Sequence, residues 1–130
     1  GVGTHTLTAR ATDSGGAVAT ASQSVAVLAD PVDAPVQAVW DGMNAALKAG
    51  DKSGALGFLT SGAADFYDPI FTALLPLMNQ ITDSYSPLKR VELSDDYAMY
   101  AVKRVQEAVP RAYFIVLVRG WDGQWKIDTM

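Results

Sequence analysis

The stretch LKRVELSDDYAMYAVKRVQEAVPRAYFIVLVRGWDGQWKIDTM, residues 88–130, decides the fold, because apolar and polar side chains alternate along much of it. An alternation with a period of two is typical of β-strands that bury one face. It predicts four strands, over 88–94, 97–105, 111–120 and 124–130. Their short connections predict that consecutive strands pair antiparallel.

Turn residues set which side chains of neighbouring strands face each other. Asp95-Asp96 and Asp122-Gly123 predict two-residue turns, and residues 107–110 predict a longer connection. With Val105 opposite Arg111, all three hairpins place their apolar side chains on the same face of the sheet. A shift of one residue in the pairing would move apolar side chains off that face. That predicted core face consists of Val91, Leu93, Ala98, Tyr100, Val102, Phe114, Val116, Val118, Trp125 and Ile127.

The opposite face of this sheet is predicted to be partly apolar. Its two central strands carry Met99, Tyr113, Ile115 and Leu117, with charged residues around them. An apolar patch of this kind is rarely left in contact with water. These four residues therefore predict a homodimer interface, to which the N-terminal hairpin adds; the alternative is that the hairpin itself covers the patch.

Apolar residues at helical spacing precede the strands. A first helix is predicted from Val36, Val39, Trp40, Met43 and Leu47, with Asp33 as its cap and Gly50 as its end. Asp51 and Ser61 are predicted to cap two further segments, Asp68-Pro69 to restart the third, and Pro76 to kink or break it. Helices followed by strands predict an α+β fold, with N-terminal helices packed on a curved antiparallel four-stranded meander.

The first 33 residues differ in composition from the rest, since no aromatic residue occurs before Trp40. Alternation from Thr4 to Thr12, the turn residues 13–16 and renewed β character up to Leu28 predict a β-hairpin arm. Residues 29–33, with Pro31, predict a linker. The predicted domains are therefore 1–33, the arm and linker, and 34–130, the α+β domain.

Charge and composition exclude several classes of partner. The net charge is −4 and no basic stripe is present, so no nucleic-acid partner is predicted. The longest apolar run, residues 114–118, is too short for membrane insertion. Without cysteine the chain has no disulfide or thiolate metal site, and His5 is its only histidine, so neither a metal nor a cofactor is predicted.

The segment GTHTLTARATDSGGAVATASQSVAVL, residues 3–28, resembles the last two strands of a bacterial immunoglobulin-like repeat. The resemblance rests on the Gly-x-His-x-Leu-x-Ala-x-Ala-x-Asp run and on the small-residue turn that follows it. It implies a secreted or cell-envelope location, and this location rests on the resemblance alone. The alternative is a Thr-rich β-arm of other ancestry.

The second domain resembles the nuclear-transport-factor-like superfamily, also described as SnoaL-like or cystatin-like cones. VWDGMNAALKAGDKSGALGFLT (39–60), YDPIFTALLPLM (67–78) and RGWDGQWKID (119–128) carry the resemblance. It implies a bent sheet wrapped around helices to form a cone. The superfamily contains isomerases, hydrolases, cyclases and non-catalytic domains, so the fold assigns no chemistry.

Few polar residues are predicted to face into such a cone. Trp40, Tyr67, Tyr100 and Arg104 are the candidate ligand-binding residues, with Arg104 suited to a carboxylate ligand or, alternatively, turned to water or paired with Glu107. No catalytic residue is predicted, and the expected function is a non-catalytic binding or assembly module, with an apolar small molecule as a possible ligand. The alternatives are an isomerase or cyclase that uses Tyr67, Asp68 and Tyr100, and a plain spacer without a site.

Overall fold

The computed structural model describes residues 3–27 and 33–130. The predicted α+β class is confirmed, since helices occur together with a four-stranded antiparallel sheet and a two-stranded hairpin. The chain divides into two units, Gly1–Asp33 and Ala34–Met130. Residues 28–32, which hold most of the predicted linker, lie outside the described residues.

The first unit contains the predicted β-hairpin. Strand β1, Gly3–Thr12, pairs antiparallel with β2, Val18–Val27. The Asp13 carboxylate closes the turn by accepting hydrogen bonds from the backbone N–H groups of Gly15 and Ala17, both at 2.9 Å. Gly16 has a φ of +86°, which is why this position favours glycine.

Four helices precede the sheet of the second unit: α1 Asp33–Lys48, α2 Lys52–Leu56, α3 Ser61–Leu74 and α4 Met78–Asp83. The predicted cap at Asp51 is confirmed, since its carboxylate accepts from the N–H of Gly54 at 2.8 Å. The cap of α3 is Thr60 rather than Ser61, because its hydroxyl accepts from the N–H of Ala63.

The two prolines in the third predicted helix behave differently. The predicted restart at Asp68-Pro69 is wrong, since α3 continues through Pro69 to Leu74. The predicted break at Pro76 is confirmed, because Leu75–Leu77 forms a 3₁₀ turn between α3 and α4. A proline inside a helix removes one backbone donor, and here only the second one changes the helix type.

The sheet comprises β3 Lys89–Leu93, β4 Tyr97–Gln106, β5 Val109–Arg119 and β6 Trp125–Thr129, and each strand pairs with the next in the chain. The segment between α2 and α3 extends the sheet beyond β6. There the N–H of Ile127 donates to the carbonyl of Phe58, and the N–H of Thr60 donates to the carbonyl of Ile127. This connection ties the helical layer to the last strand.

The predicted pairing of β4 with β5 is wrong by one residue. Val105 lies opposite Pro110 rather than Arg111, and Val102 lies opposite Tyr113 rather than Phe114. The cause is the turn: Gln106 pairs with Val109, so only Glu107 and Ala108 form the connection, and both have positive φ, 50° and 65°. Positive φ at both central residues is typical of the type I′ hairpin turn.

This shift exchanges the two faces of β5, because successive side chains of a strand point to opposite sides. Ile115 and Leu117, predicted for the outer face, are 0% exposed and belong to the core. Tyr113 also faces inward, while Phe114, predicted for the core, is 54% exposed. The predicted interface of Met99, Tyr113, Ile115 and Leu117 is therefore wrong for all of its members except Met99, which stays on the outer face.

The other two hairpins also depart from prediction. Leu93 lies opposite Ala98 as predicted, but the register shifts at Val91, which is more than half exposed instead of being part of the core. In the last hairpin Arg119 pairs with Trp125, so residues 120–124 form the connection in place of a two-residue turn. As a result Ile127 lies opposite Leu117, and both are buried.

None of the helices in the described parts of the chain has both the length and the hydropathy that a membrane span requires.

Candidate functional site

A cavity of about 270 Å³ lies in the second unit between the helices and the inner face of the sheet. Helices α1, α3 and α4, strands β4 and β5 and the end of the chain all contribute to its wall. Most of the wall is aliphatic or aromatic. The lining residues are Trp40, Tyr67, Ile70, Phe71, Leu74, Met78, Ile81, Tyr85, Val102, Arg104, Tyr113, Ile115 and Met130.

The helical part of this wall follows from side-chain spacing. Trp40 belongs to the buried stripe of α1, with Val36, Met43 and Leu47. Tyr67, Phe71 and Leu74 follow one another at intervals of four and three residues on α3, so they share one face of that helix. The two faces meet over the sheet, and their aromatic rings supply much of the apolar surface.

The aromatic rings in the wall contact one another. The ring centroids of Trp40 and Tyr85 are 5.4 Å apart at an interplanar angle of 50°. The rings of Tyr67 and Phe71 are stacked, with centroids 5.9 Å apart. Such pairs add to the stability supplied by burial and hold the rings in place. The cavity is therefore bounded by side chains that already support each other.

The Tyr67 hydroxyl is fully used by the last residue. It donates to the carbonyl oxygen of Met130 and accepts from the Met130 N–H at 3.0 Å. These two bonds join α3 to the residue that follows β6. A phenol engaged in this way keeps its position in the wall and has little remaining capacity for a ligand.

Arg104 is the one charged residue in the wall of the cavity. It is half-buried, and its Nε is buried without a hydrogen-bond partner. Buried polar atoms usually have a partner, because an unmade hydrogen bond costs about 1–3 kcal/mol. The Nε of Arg104 is thus a donor without an acceptor beside an apolar cavity.

Two further phenols lie near this guanidinium. Burial raises the pKa of Tyr85 above its ordinary value of 10.0, the positive charge of Arg104 opposes that rise, and Tyr113 adds to it. The Tyr113 hydroxyl donates to the Oε1 of Gln106 at 2.8 Å. The Tyr85 phenol is therefore protonated at neutral pH, and it forms the polar end of the cavity together with Tyr113 and Arg104.

The structure brings together three of the predicted ligand-binding residues. Trp40, Tyr67 and Arg104 all line the cavity. Tyr100 is 4% exposed and does not line it, although Ile115, which lies opposite Tyr100 in the sheet, does. The observed register places Tyr113 in the wall instead.

The residues of the enzyme alternative are not brought together. The Asp68 carboxylate lies 2.5 Å from the Lys52 ammonium and is half-exposed, and Asp65 is exposed. Neither lines the cavity, and among the described residues its wall contains no Asp or Glu side chain. Over residues 3–27 and 33–130 no group of three or more His, Cys, Asp or Glu side chains could hold a metal ion.

Sequence reasoning missed Tyr85 and Tyr113 as lining residues. Tyr85 lies in the connection between α4 and β3, where neither the helical nor the strand period assigns a direction. A backbone bond from Ser86 to the carbonyl of Lys103 holds that connection against β4. Tyr113 was assigned to the wrong face by the one-residue error in register, so only the turn could have revealed it.

No protein-family model matches this chain, and no curated protein matches it either.

Proposed function

We propose that the second unit is a non-catalytic binding module that encloses a small apolar molecule with a polar end. The observation that carries this proposal is the largely apolar cavity of about 270 Å³ with the Arg104 Nε buried and unpartnered in its wall. Ligand sites in proteins are typically concave, mostly apolar and supplied with few polar groups that fix orientation.

The size of the cavity limits the ligand. Water occupies about 30 Å³ per molecule, so the cavity corresponds to roughly nine waters. A ligand of about ten non-hydrogen atoms is the expected scale, such as an eight-carbon chain with a polar head. The aromatic and aliphatic wall favours the chain, and Arg104, Tyr85 and Tyr113 favour an oxygen-bearing head.

Two variants of the same residue type test whether the cavity holds the ligand. Leu74→Trp would fill the cavity, whereas Leu77→Trp adds the same ring at an exposed position that does not line it. Isothermal titration with octanol should show binding to the natural chain and to Leu77→Trp, and a loss of at least about tenfold in affinity for Leu74→Trp. Equal binding by the two variants, or none by the natural chain, would reject the proposal.

The enzyme alternative, an isomerase or cyclase, has no specific observation in its favour. It needs a carboxylate within hydrogen-bond reach of the substrate. Asp68 instead pairs with Lys52, and Tyr100 lies outside the wall. Binding is therefore the function that we retain.

The context of the module rests on resemblance. Helices followed by an antiparallel sheet, with a cavity between them, fit the nuclear-transport-factor-like cone and its curved meander. The immunoglobulin-like features of the hairpin support a secreted or cell-envelope protein of bacterial origin. Fractionation of the source cells with an antibody against the second unit tests this location, and a purely cytosolic signal would reject it.

We also propose that the chain forms a homodimer through the outer face of the β4–β5 sheet, as the observed register defines it. Phe114 is more than half exposed there, and Met99 and Val116, which pair across β4 and β5, are only partly exposed. An apolar surface of this kind is more stable when a second copy of the chain covers it than when water does, which supports self-association. Native mass spectrometry should give a dimer for the natural chain and a monomer for Phe114→Asp; a monomeric natural chain would reject the dimer.

A further inference from the structure

The inner face of the β4–β5 hairpin carries two arginines in register at the polar end of the cavity. Arg104 and Arg111 are directly opposite each other, next to the cavity-lining pair Val102 and Tyr113. Side chains of opposed residues lie on the same face, with their Cβ atoms about 4.5–5.5 Å apart. Two positive charges are thus held side by side at the polar end of the cavity.

Neither arginine has an acidic partner in the described parts of the chain, whereas Lys48 pairs with Asp83 and Lys52 with Asp68. A recess at this end of the hairpin is lined by Arg104, Val105, Gln106, Glu107 and Arg111. Glu107 is exposed in the turn and lies within 4.0 Å of neither guanidinium. Like charges directly opposite each other destabilise a sheet. The arrangement is therefore unfavourable unless an anion lies between the two side chains.

Other donors face the same recess. Gln106 lines it together with both arginines, and its Oε1 already accepts from the Tyr113 hydroxyl. The amide NH₂ of Gln106 is thus the part of this side chain that remains to donate to a ligand. The recess offers two guanidinium groups and an amide donor, with Arg104 shared between recess and cavity.

We propose that Arg104, Arg111 and Gln106 form a site for a phosphate monoester dianion, whose apolar chain occupies the cavity. The proposal rests on the proposed function, because the chain needs the cavity. Two adjacent guanidinium groups match two negative charges, and each can bind two oxygens of one phosphate in parallel. A single carboxylate would neutralise only one of the two charges.

The test compares octyl phosphate, octanoate, octanol and inorganic phosphate by isothermal titration on the full chain. Arg111→Gln removes one charge from the site at an exposed position. Lys103→Gln is the matched control, since Lys103 is exposed and adjacent to Arg104 but points to the opposite face. Octyl phosphate should bind the natural chain at least about tenfold more tightly than octanoate does, and Arg111→Gln should remove that advantage while Lys103→Gln keeps it.

A thermal readout separates a binding role from a structural one. Without ligand, Arg111→Gln should unfold at the same or a higher temperature than the natural chain, because the repulsion is gone. Octyl phosphate should raise the unfolding temperature of the natural chain and of Lys103→Gln. Its effect on the unfolding temperature of Arg111→Gln should be much smaller. An unliganded Arg111→Gln that unfolds at a clearly lower temperature would point to a structural role and overturn the proposal.

The remaining outcomes distinguish this proposal from the proposed function. If octanol binds and Arg111→Gln leaves octyl phosphate binding unchanged, the phosphate site is wrong and the apolar cavity stands. If inorganic phosphate binds in an Arg111-dependent manner and octanol does not bind, the cavity proposal fails and the recess is a site for free phosphate only. If none of the four compounds binds, both proposals fail.

Discussion

Ile115 on β5 lies directly opposite Tyr100 on β4, and both side chains are buried between the sheet and the helices. This pairing determines which face of β5 packs in the core. Ile115→Ala should therefore lower the free energy of unfolding by about 2–5 kcal/mol, because it removes apolar contacts and leaves a void. Phe114→Ala, one residue earlier and on the outer face, should lower the free energy of unfolding by less. Urea unfolding of the two variants would show the reverse order if the predicted register, rather than the observed one, were present.

The turn between β4 and β5 should be open to stabilisation. Glu107 and Ala108 both have positive φ, a conformation that costs non-glycine residues free energy and that Asn-Gly adopts readily. The double variant Glu107→Asn/Ala108→Gly should raise the free energy of unfolding by about 1 kcal/mol. Asp95→Gly in the β3–β4 connection, where φ is negative, is the control and should give a loss. A loss in both turns would contradict the observed geometry.

Two glycines in helices should respond in opposite ways to alanine. A Cβ on Gly42 would lie 2.5 Å from the Cζ of Phe58, whereas a Cβ on Gly62 would meet no atom within 4 Å. Gly62→Ala should stabilise by about 0.5–1 kcal/mol through helix propensity. Gly42→Ala should lower stability, because the Phe58 ring must move. Thermal unfolding of the two variants tests this difference. A higher unfolding temperature for both would mean that α1 does not approach Phe58 so closely.

Tyr85 should make stability depend on alkaline pH. Its folded-state pKa lies above the unfolded value of 10.0, so the folded chain keeps a proton that the unfolded chain releases. The contribution is complete below that value and is lost as pH rises through the folded pKa. Tyr85→Phe should therefore show a shallower decline of unfolding free energy above about pH 10. The same decline in variant and natural chain would assign the effect to other groups.

Local signals in the sequence predicted local structure well. The Asp51 cap, the Asp13–Gly16 turn and the break at Pro76 each depend on neighbouring residues alone, and the structure contains all three. The order of helices and strands followed from hydrophobic spacing. These features need no information about distant contacts.

The pairing of β4 with β5 could not be predicted from such local signals. Residues 113–118 read YFIVLV, so both faces of the strand are apolar and the period of two cannot choose between them. The choice then depends on the turn, and Glu107-Ala108 carries no sequence signal for positive φ. Of the candidate site, Trp40 followed from the apolar stripe of the first helix, whereas Tyr113 depended on this turn.

The tight connection at Glu107 and Ala108 also determines how this chain can change in length. If the connection keeps its two-residue turn, inserting or deleting one residue there shifts the pairing of β5 by one position, which brings Phe114 inward and turns Ile115 outward. A change of two residues would preserve the inward set. A one-residue change that retains the two-residue turn should therefore disrupt the core, whereas an insertion that lengthens the loop and preserves the pairing of Gln106 with Val109 should be tolerated.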